Sequence, residues 1–136
     1  MILMACVDGR NGMAFNCRRQ SRDRAVRADL LAEVGEACLW VSGATARQFP
    51  AEEQSRLCVD ESFLEKAGPG EYCFVEDKDV VPYESRIEEV ILCHWNRDYP
   101  ADMYFKMDLG SWKLAETQEY AGSSHEKITE ERYVRR

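Results

Sequence analysis

Five arginines, Arg18, Arg19, Arg22, Arg24 and Arg27, fall within ten residues of one another. Guanidinium forks hold phosphate and carboxylate oxygens two at a time. Ser21 is placed to cap a helix that starts among them, and a helix start adds amide donors and a favourable dipole. The stretch therefore has the chemistry of an anion site, with a nucleotide or an RNA backbone as its ligand. The same arginines would serve equally as a solvated helix face paired with acidic residues elsewhere. A second group, Trp95-Asn96-Arg97-Asp98-Tyr99, sits at a strand end, where α/β sheets often border ligand crevices. Trp95 and Tyr99 could stack a base, with Arg97 beside them, or could cap the core from a turn. Ser123-Ser124-His125-Glu126 sets hydroxyl, imidazole and carboxylate side by side. Neighbours in sequence do not face one another, so this string reads as a hairpin turn. A Ser-His-Asp triad is assembled in space and leaves no local signature of its own. No G-x-S-x-G elbow is present.

Other chemistries are excluded more firmly. His94 and His125 are the only histidines, in no H-x-H or H-E-x-x-H spacing, and the six cysteines form no C-x-x-C pair. No metal centre is expected. His94 alternates with apolar neighbours and reads as a packed or edge side chain. Cys6, Cys38, Cys73 and Cys93 lie in apolar, strand-like runs, and the cysteines are expected as buried, reduced thiols in a cytoplasmic protein. Met1 to Val7 has no basic flank and does not read as a signal peptide, and no run approaches a membrane span. The net charge of −7 disfavours a duplex-DNA binder. Charge is uneven: residues 51–110 carry 6 basic and 15 acidic side chains, against 7 and 5 in residues 1–50. That acidic middle is a solvated surface or a face for a basic partner.

Positioning these groups requires a fold, and 136 residues with 45% apolar content allow one domain with a real core. Ile2–Val7, Cys38–Val41, Leu57–Val59, Tyr72–Val75 and Glu89–Trp95 read as buried strands. Met13–Asn16 reads as a loop or short strand after the DGRNG turn. A helix is expected from Ser21 to about Ala37, burying Val26, Leu30, Leu31 and Val34. Short helical turns are expected before Pro50, over Phe63–Ala67 and around Pro82. Met103–Met107, Trp112–Thr117 and Lys127–Val134 read as further strands. The expected fold is a single α/β domain over residues 1–136, a central mixed sheet with flanking helices and antiparallel C-terminal strands.

The order of elements and several strings resemble dihydrofolate reductase. The opening strand with Asp8, Gly12 and Asn16 is similar to that family's first strand and the loop over its substrate. The helix from Asp23, the CLWVSG strand and turn, the Thr45–Phe49 helix and the tail from EVILCHW to KITEERYVRR follow in the family's order. The resemblance implies a reductase-like scaffold and a ligand near Asn16 and Asp23. The chain departs from the family where its activity resides. Arg18-Arg19-Gln20-Ser21 replaces the segment before the helix, and neither Asp23 nor Asp29 falls cleanly in register with the acid that handles the pterin proton. Glu76-Asp77 stands where a Gly-Gly pair would let a cofactor's phosphates approach, so no NADPH site and no other cofactor is expected. The chain also resembles small uncharacterised proteins of anaerobic Gram-positive bacteria, some labelled ribonuclease Z, through NGM-F-N, RRQSRDR, WNRDYP and GSSHEKIT. That name belongs to zinc hydrolases with an H-x-H-x-D-H motif, which is missing here.

The expected function is binding of a small anionic, nucleotide-like ligand by Asn16, Arg18, Arg19, Arg22, Asp23, Trp95 and Arg97. The alternatives are an RNA-processing phosphodiester hydrolase and an interaction module using the acidic face.

Overall fold

The computed structural model describes residues 1–136. The chain opens with β1 (Ile2–Val7), then a hairpin of β2 (Gly12–Phe15) and β3 (Arg18–Arg19). Helix α1 (Arg24–Val34) leads to β4 (Leu39–Val41) and the short α2 (Gly43–Ala46). After β5 (Leu57–Val59), α3 (Phe63–Lys66) precedes β6 (Tyr72–Val75) and β7 (Glu89–His94). The tail adds β8 (Met103–Tyr104), β9 (Trp112–Tyr120) and β10 (Ile128–Arg135). Ten strands form two sheets: seven in the order β5-β4-β6-β1-β7-β10-β9 and three in the order β3-β2-β8. From β5 to β7 the large sheet is parallel, while β10 and β9 run antiparallel at its edge. This is the expected mixed sheet with an antiparallel finish.

β1 explains its own apolar run. It lies between β6 and β7, so both its faces are covered. Leu3, Ala5 and Val7 enter one core cluster with Phe63, Val75 and Trp112. Ile2, Met4 and Cys6 enter the other, beneath α1. The α1 stripe of Val26, Leu30, Leu31 and Val34 is buried there as its spacing requires.

Several boundaries differ from the sequence reading. Asp23, not Ser21, caps α1: its Oδ1 accepts from the amides of Ala25 at 2.9 Å and Val26 at 3.4 Å. The helix ends at Val34 because Gly35 turns the chain at φ +64°. The β2–β3 turn, Asn16-Cys17, holds both residues at positive φ (54° and 62°), as tight hairpin turns demand. Of Met103–Met107, only Met103–Tyr104 finds a partner strand.

The cysteines also need a correction. Cys38 and Cys58 are joined in a disulfide across the β4–β5 pair, with Cα atoms 6.0 Å apart. Parallel pairing of two short strands brings together thiols 20 residues apart, which no local spacing announces. Cys6, Cys73 and Cys93 are free and buried, and Cys17 is free and exposed. Burial pushes the Cys73 thiol up to about 12. No helix is long and apolar enough to cross a membrane.

Candidate functional site

The parallel strands end together on one side of the sheet. Asp8 follows β1, Glu76 follows β6 and Trp95 follows β7. α1 starts nearby, and the loop between β9 and β10 folds back over it. Asp23, at the head of α1, joins these pieces.

Asp23 is buried, and its two oxygens hold six donors. Oδ1 takes the amides of Ala25 and Val26 and, at 2.9 Å each, the amide and hydroxyl of Ser123. Oδ2 takes the Ser124 amide at 2.8 Å and His125 Nδ1 at 2.9 Å. Burial pushes this carboxyl up, but the bonds from His125, Ser123 and Ser124 outweigh it and hold it well below the usual carboxylate range. One carboxylate thus caps a helix and shapes a loop 100 residues away.

His125 is equally fixed. An ionised carboxylate only accepts, so Nδ1 carries a proton toward Asp23. The opposite nitrogen, Nε2, lies 2.8 Å from the Tyr99 hydroxyl and 3.3 Å from Ser21 Oγ. The two hydroxyls are themselves 3.3 Å apart. Trp95 stacks on the imidazole with centroids 4.5 Å apart and planes at 19°. The side chains of Asp23 and His125 retain 0% and 1% exposure, whereas Ser21 and Tyr99 are half-buried. A buried acid, an imidazole and a partly open hydroxyl pair therefore form one chain of hydrogen bonds.

Beside this knot is a cleft of about 330 Å³ lined by Arg22, Asp23, Arg24, Arg27 and Ser124. Arg19 pairs with Glu76, but no carboxylate lies within ion-pair distance of Arg22, Arg24 or Arg27. Burial pushes the Arg27 guanidinium below its usual value, and the charges on Arg22 and Arg24 push the same way, against Glu53 and Asp23, which push it up. Three cations of like sign thus crowd one hollow in a chain of net charge −7. The amide donors expected from the helix start are not free. Ser123 Oγ takes the Arg24 amide, Asp23 Oδ1 takes those of Ala25 and Val26, and the Asp23 carbonyl takes that of Arg27.

The other candidate residues are spread out. Asn16 is exposed at the hairpin turn, its amide bonded to Asp102. Arg18 is exposed on β3, in the wall of a cleft of about 180 Å³ shared with Cys17, Thr45 and Asp77. Arg19 binds Glu76 at 3.0 Å and the Ala44 carbonyl at 2.6 Å. Glu76 also accepts from Thr45 at 2.8 Å and Gln48 at 2.9 Å. Arg97 is exposed after β7. Trp95 is buried against His125, so its stacking partner is a side chain of the same chain. His94 is half-buried and bonded to Glu131 at 2.5 Å.

Sequence reasoning placed Asp23 and Trp95 among the site residues, but weighed Tyr99 only as a stacking or core-capping aromatic, Ser21 as a helix cap and His125 as part of a turn, and did not join them. The polar GSSHE string was rich in groups able to bond a buried carboxylate. No group of three or more His, Cys, Asp or Glu side chains is arranged to hold a metal ion. No protein-family model matches the chain, and no curated protein matches it.

Proposed function

We propose that this chain binds a small anionic, nucleotide-like molecule at the Arg22–Arg24–Arg27 cleft, on a dihydrofolate reductase-like scaffold that lacks the NADPH site. The observation that carries the reading is a hollow lined by three arginines that have no ion-pair partner, their charge offset only in part by Asp23 in the same wall and by Glu53. Arg22 and Arg24 are exposed and Arg27 is half-buried, and a phosphate or carboxylate would offset their mutual repulsion. Ser124 lines the same wall.

The scaffold part of the reading is supported by element order. First strand, loop, helix at Asp23, CLWVSG strand, short helix and antiparallel C-terminal strands all follow in sequence. The cofactor part is supported by Glu76. Its carboxylate is saturated by Arg19, Thr45 and Gln48 at the end of β6, where the resemblance would put the cofactor's phosphates. Those donors face inward to a negative charge, so the residues do not fit a pyrophosphate. A cytoplasmic location belongs to the same reading, and the Cys38–Cys58 pair tests it: thiol alkylation in intact cells should label both if the compartment is reducing.

Titration of the purified protein with inorganic pyrophosphate, mononucleotides and NADPH, read by thermal shift, decides the matter. A ligand at about 100 times its Kd adds ~2.7 kcal/mol, several degrees for a chain this size. Nucleotides or pyrophosphate should shift the wild type and not the Arg22→Glu/Arg27→Glu variant. A silent panel would sink the reading, and a shift with NADPH alone would restore the reductase.

A further inference from the structure

We infer that Ser21, His125 and Asp23 form a hydrolytic relay, with Ser21 as nucleophile toward an activated ester. This does not depend on the anion cleft. Each part is in place. Asp23 is buried and orients the imidazole through Nδ1 at 2.9 Å. Trp95 prevents the ring from turning by stacking on it. The other ring nitrogen, Nε2, is 3.3 Å from Ser21 Oγ and 2.8 Å from the Tyr99 hydroxyl. Roles of this kind are recognised by geometry and not by position in sequence.

A structural knot alone does not account for the arrangement. Asp23 has five donors besides His125, although the His125 bond is the largest of those that keep it ionised. The helix cap and the Ser123–Ser124 turn need no imidazole. What the imidazole adds is a second ring nitrogen that faces two hydroxyls at the half-open side of the cluster. Ser21 also lines a small cavity of about 10 Å³ with Gln20, Cys6 and Trp95. Gln20 Oε1 is buried there without a hydrogen-bond partner. That volume suits about one water, the size of the second reactant.

Tyr99 supplies the remaining component. Its phenol lies 2.8 Å from Nε2 and 3.3 Å from Ser21 Oγ, so it is within reach of whatever Ser21 attacks. Tyr99 also lines an open cleft of about 380 Å³ with Arg10, Asp98 and Tyr104. In the acylation step Ser21 Oγ bonds to the ester carbonyl carbon while its proton passes to Nε2. The Tyr99 hydroxyl turns its proton toward the carbonyl oxygen as negative charge gathers there. The carbon–oxygen bond to the alcohol breaks, and the proton on Nε2 leaves with that alcohol. Water then attacks the acyl-serine and gives a proton to Nε2, the bond from the acyl carbon to Ser21 Oγ breaks, that proton returns to Oγ, and the acid is released. Acid and alcohol are the only products, and water is the only co-reactant.

The test is labelling by an alkyl fluorophosphonate, in which Ser21 Oγ would bond to phosphorus and expel fluoride. Mass spectrometry of the full-length wild type should show one adduct, on Ser21, and p-nitrophenyl acetate should give a burst. Ser21→Ala should lose both and keep the wild-type melting temperature. Tyr99→Phe should slow labelling by about 10²–10³-fold, the usual loss for a single oxyanion donor. Absence of an adduct on the folded wild type, an adduct at another residue, or equal ester turnover in Ser21→Ala would each overturn the proposal. If Ser21→Ala fails to fold, the mapped adduct on the wild type decides alone.

Discussion

Helix α1 carries two largely enclosed carboxylates with opposite fates. Asp23, at its head, is held well below the usual range by donors from the β9–β10 loop. Asp29, within the helix, is pushed up to about 7, first by burial and then by the neighbouring Glu130. Burial raises both groups. The difference is what each meets. Asp23 meets amides, hydroxyls and an imidazole N–H. Asp29 meets a second carboxylate, which raises it further, and Tyr120 lowers it only in part, since neither Asp29 Oδ2 nor the Tyr120 hydroxyl has a hydrogen-bond partner. Glu130 takes the one strong local donor, Gln118, at 2.5 Å. Burial thus sets the cost of a charge, and local donors decide whether it is offset.

The largest expected effect comes from emptying the satisfied site. Asp23→Ala removes a helix cap and strands six donors, and should cost about 3 kcal/mol or more by urea unfolding. A loss under about 1 kcal/mol would mean that the knot does not hold the loop. Gly122→Ala attacks the same site by crowding. A Cβ there would lie 2.6 Å from Asp23 Oδ2 and 2.8 Å from the His125 carbonyl oxygen. A destabilisation of about 1–3 kcal/mol is expected, together with loss of the Trp95–His125 stack seen as a change in tryptophan emission.

Asp29 should behave in the opposite sense. Its folded pKa lies above the unfolded value of 3.8, so the native state holds the proton more tightly. Its stabilising contribution is complete below about pH 4 and is lost as pH rises to about 7. Asp29→Asn should flatten melting temperature against pH across that window and raise it by a few degrees at pH 8. An unchanged slope would break the contrast between the two sites. The smallest effect is expected from Tyr120→Phe. Deleting a buried hydroxyl that has no partner should change stability by no more than about 0.5 kcal/mol, or raise it slightly. A clear loss would show that Tyr120 does serve Asp29.

The parts of the fold legible in sequence share a local cause. Ile2–Val7 and Tyr72–Val75 are strands at the expected residues because their continuous apolar runs need cover on both faces. The α1 stripe was legible because helical spacing is set by the backbone alone. The helix start was misplaced by two residues because Ser21 and Asp23 are both good caps, and a partner far along the chain chose between them. Ser21 was drawn to His125 and Tyr99, and Asp23 took the amides. The arginine cluster was visible, but its division was not. Arg19 turned to Glu76 in the acidic middle, while Arg22, Arg24 and Arg27 stayed without partners around the cleft.

Composition and periodicity by themselves determined an α/β sheet with a buried first strand, an amphipathic helix and a polar loop near the end. Those features need only the near neighbours that the backbone supplies. Tertiary structure decided which side chains became chemistry. Asp23 and His125 are 102 residues apart, and Cys38 and Cys58 meet only because two strands pair in parallel. A buried carboxylate accepts whatever donors the fold brings to it. The identity of those donors is therefore a property of the packed molecule and not of any segment.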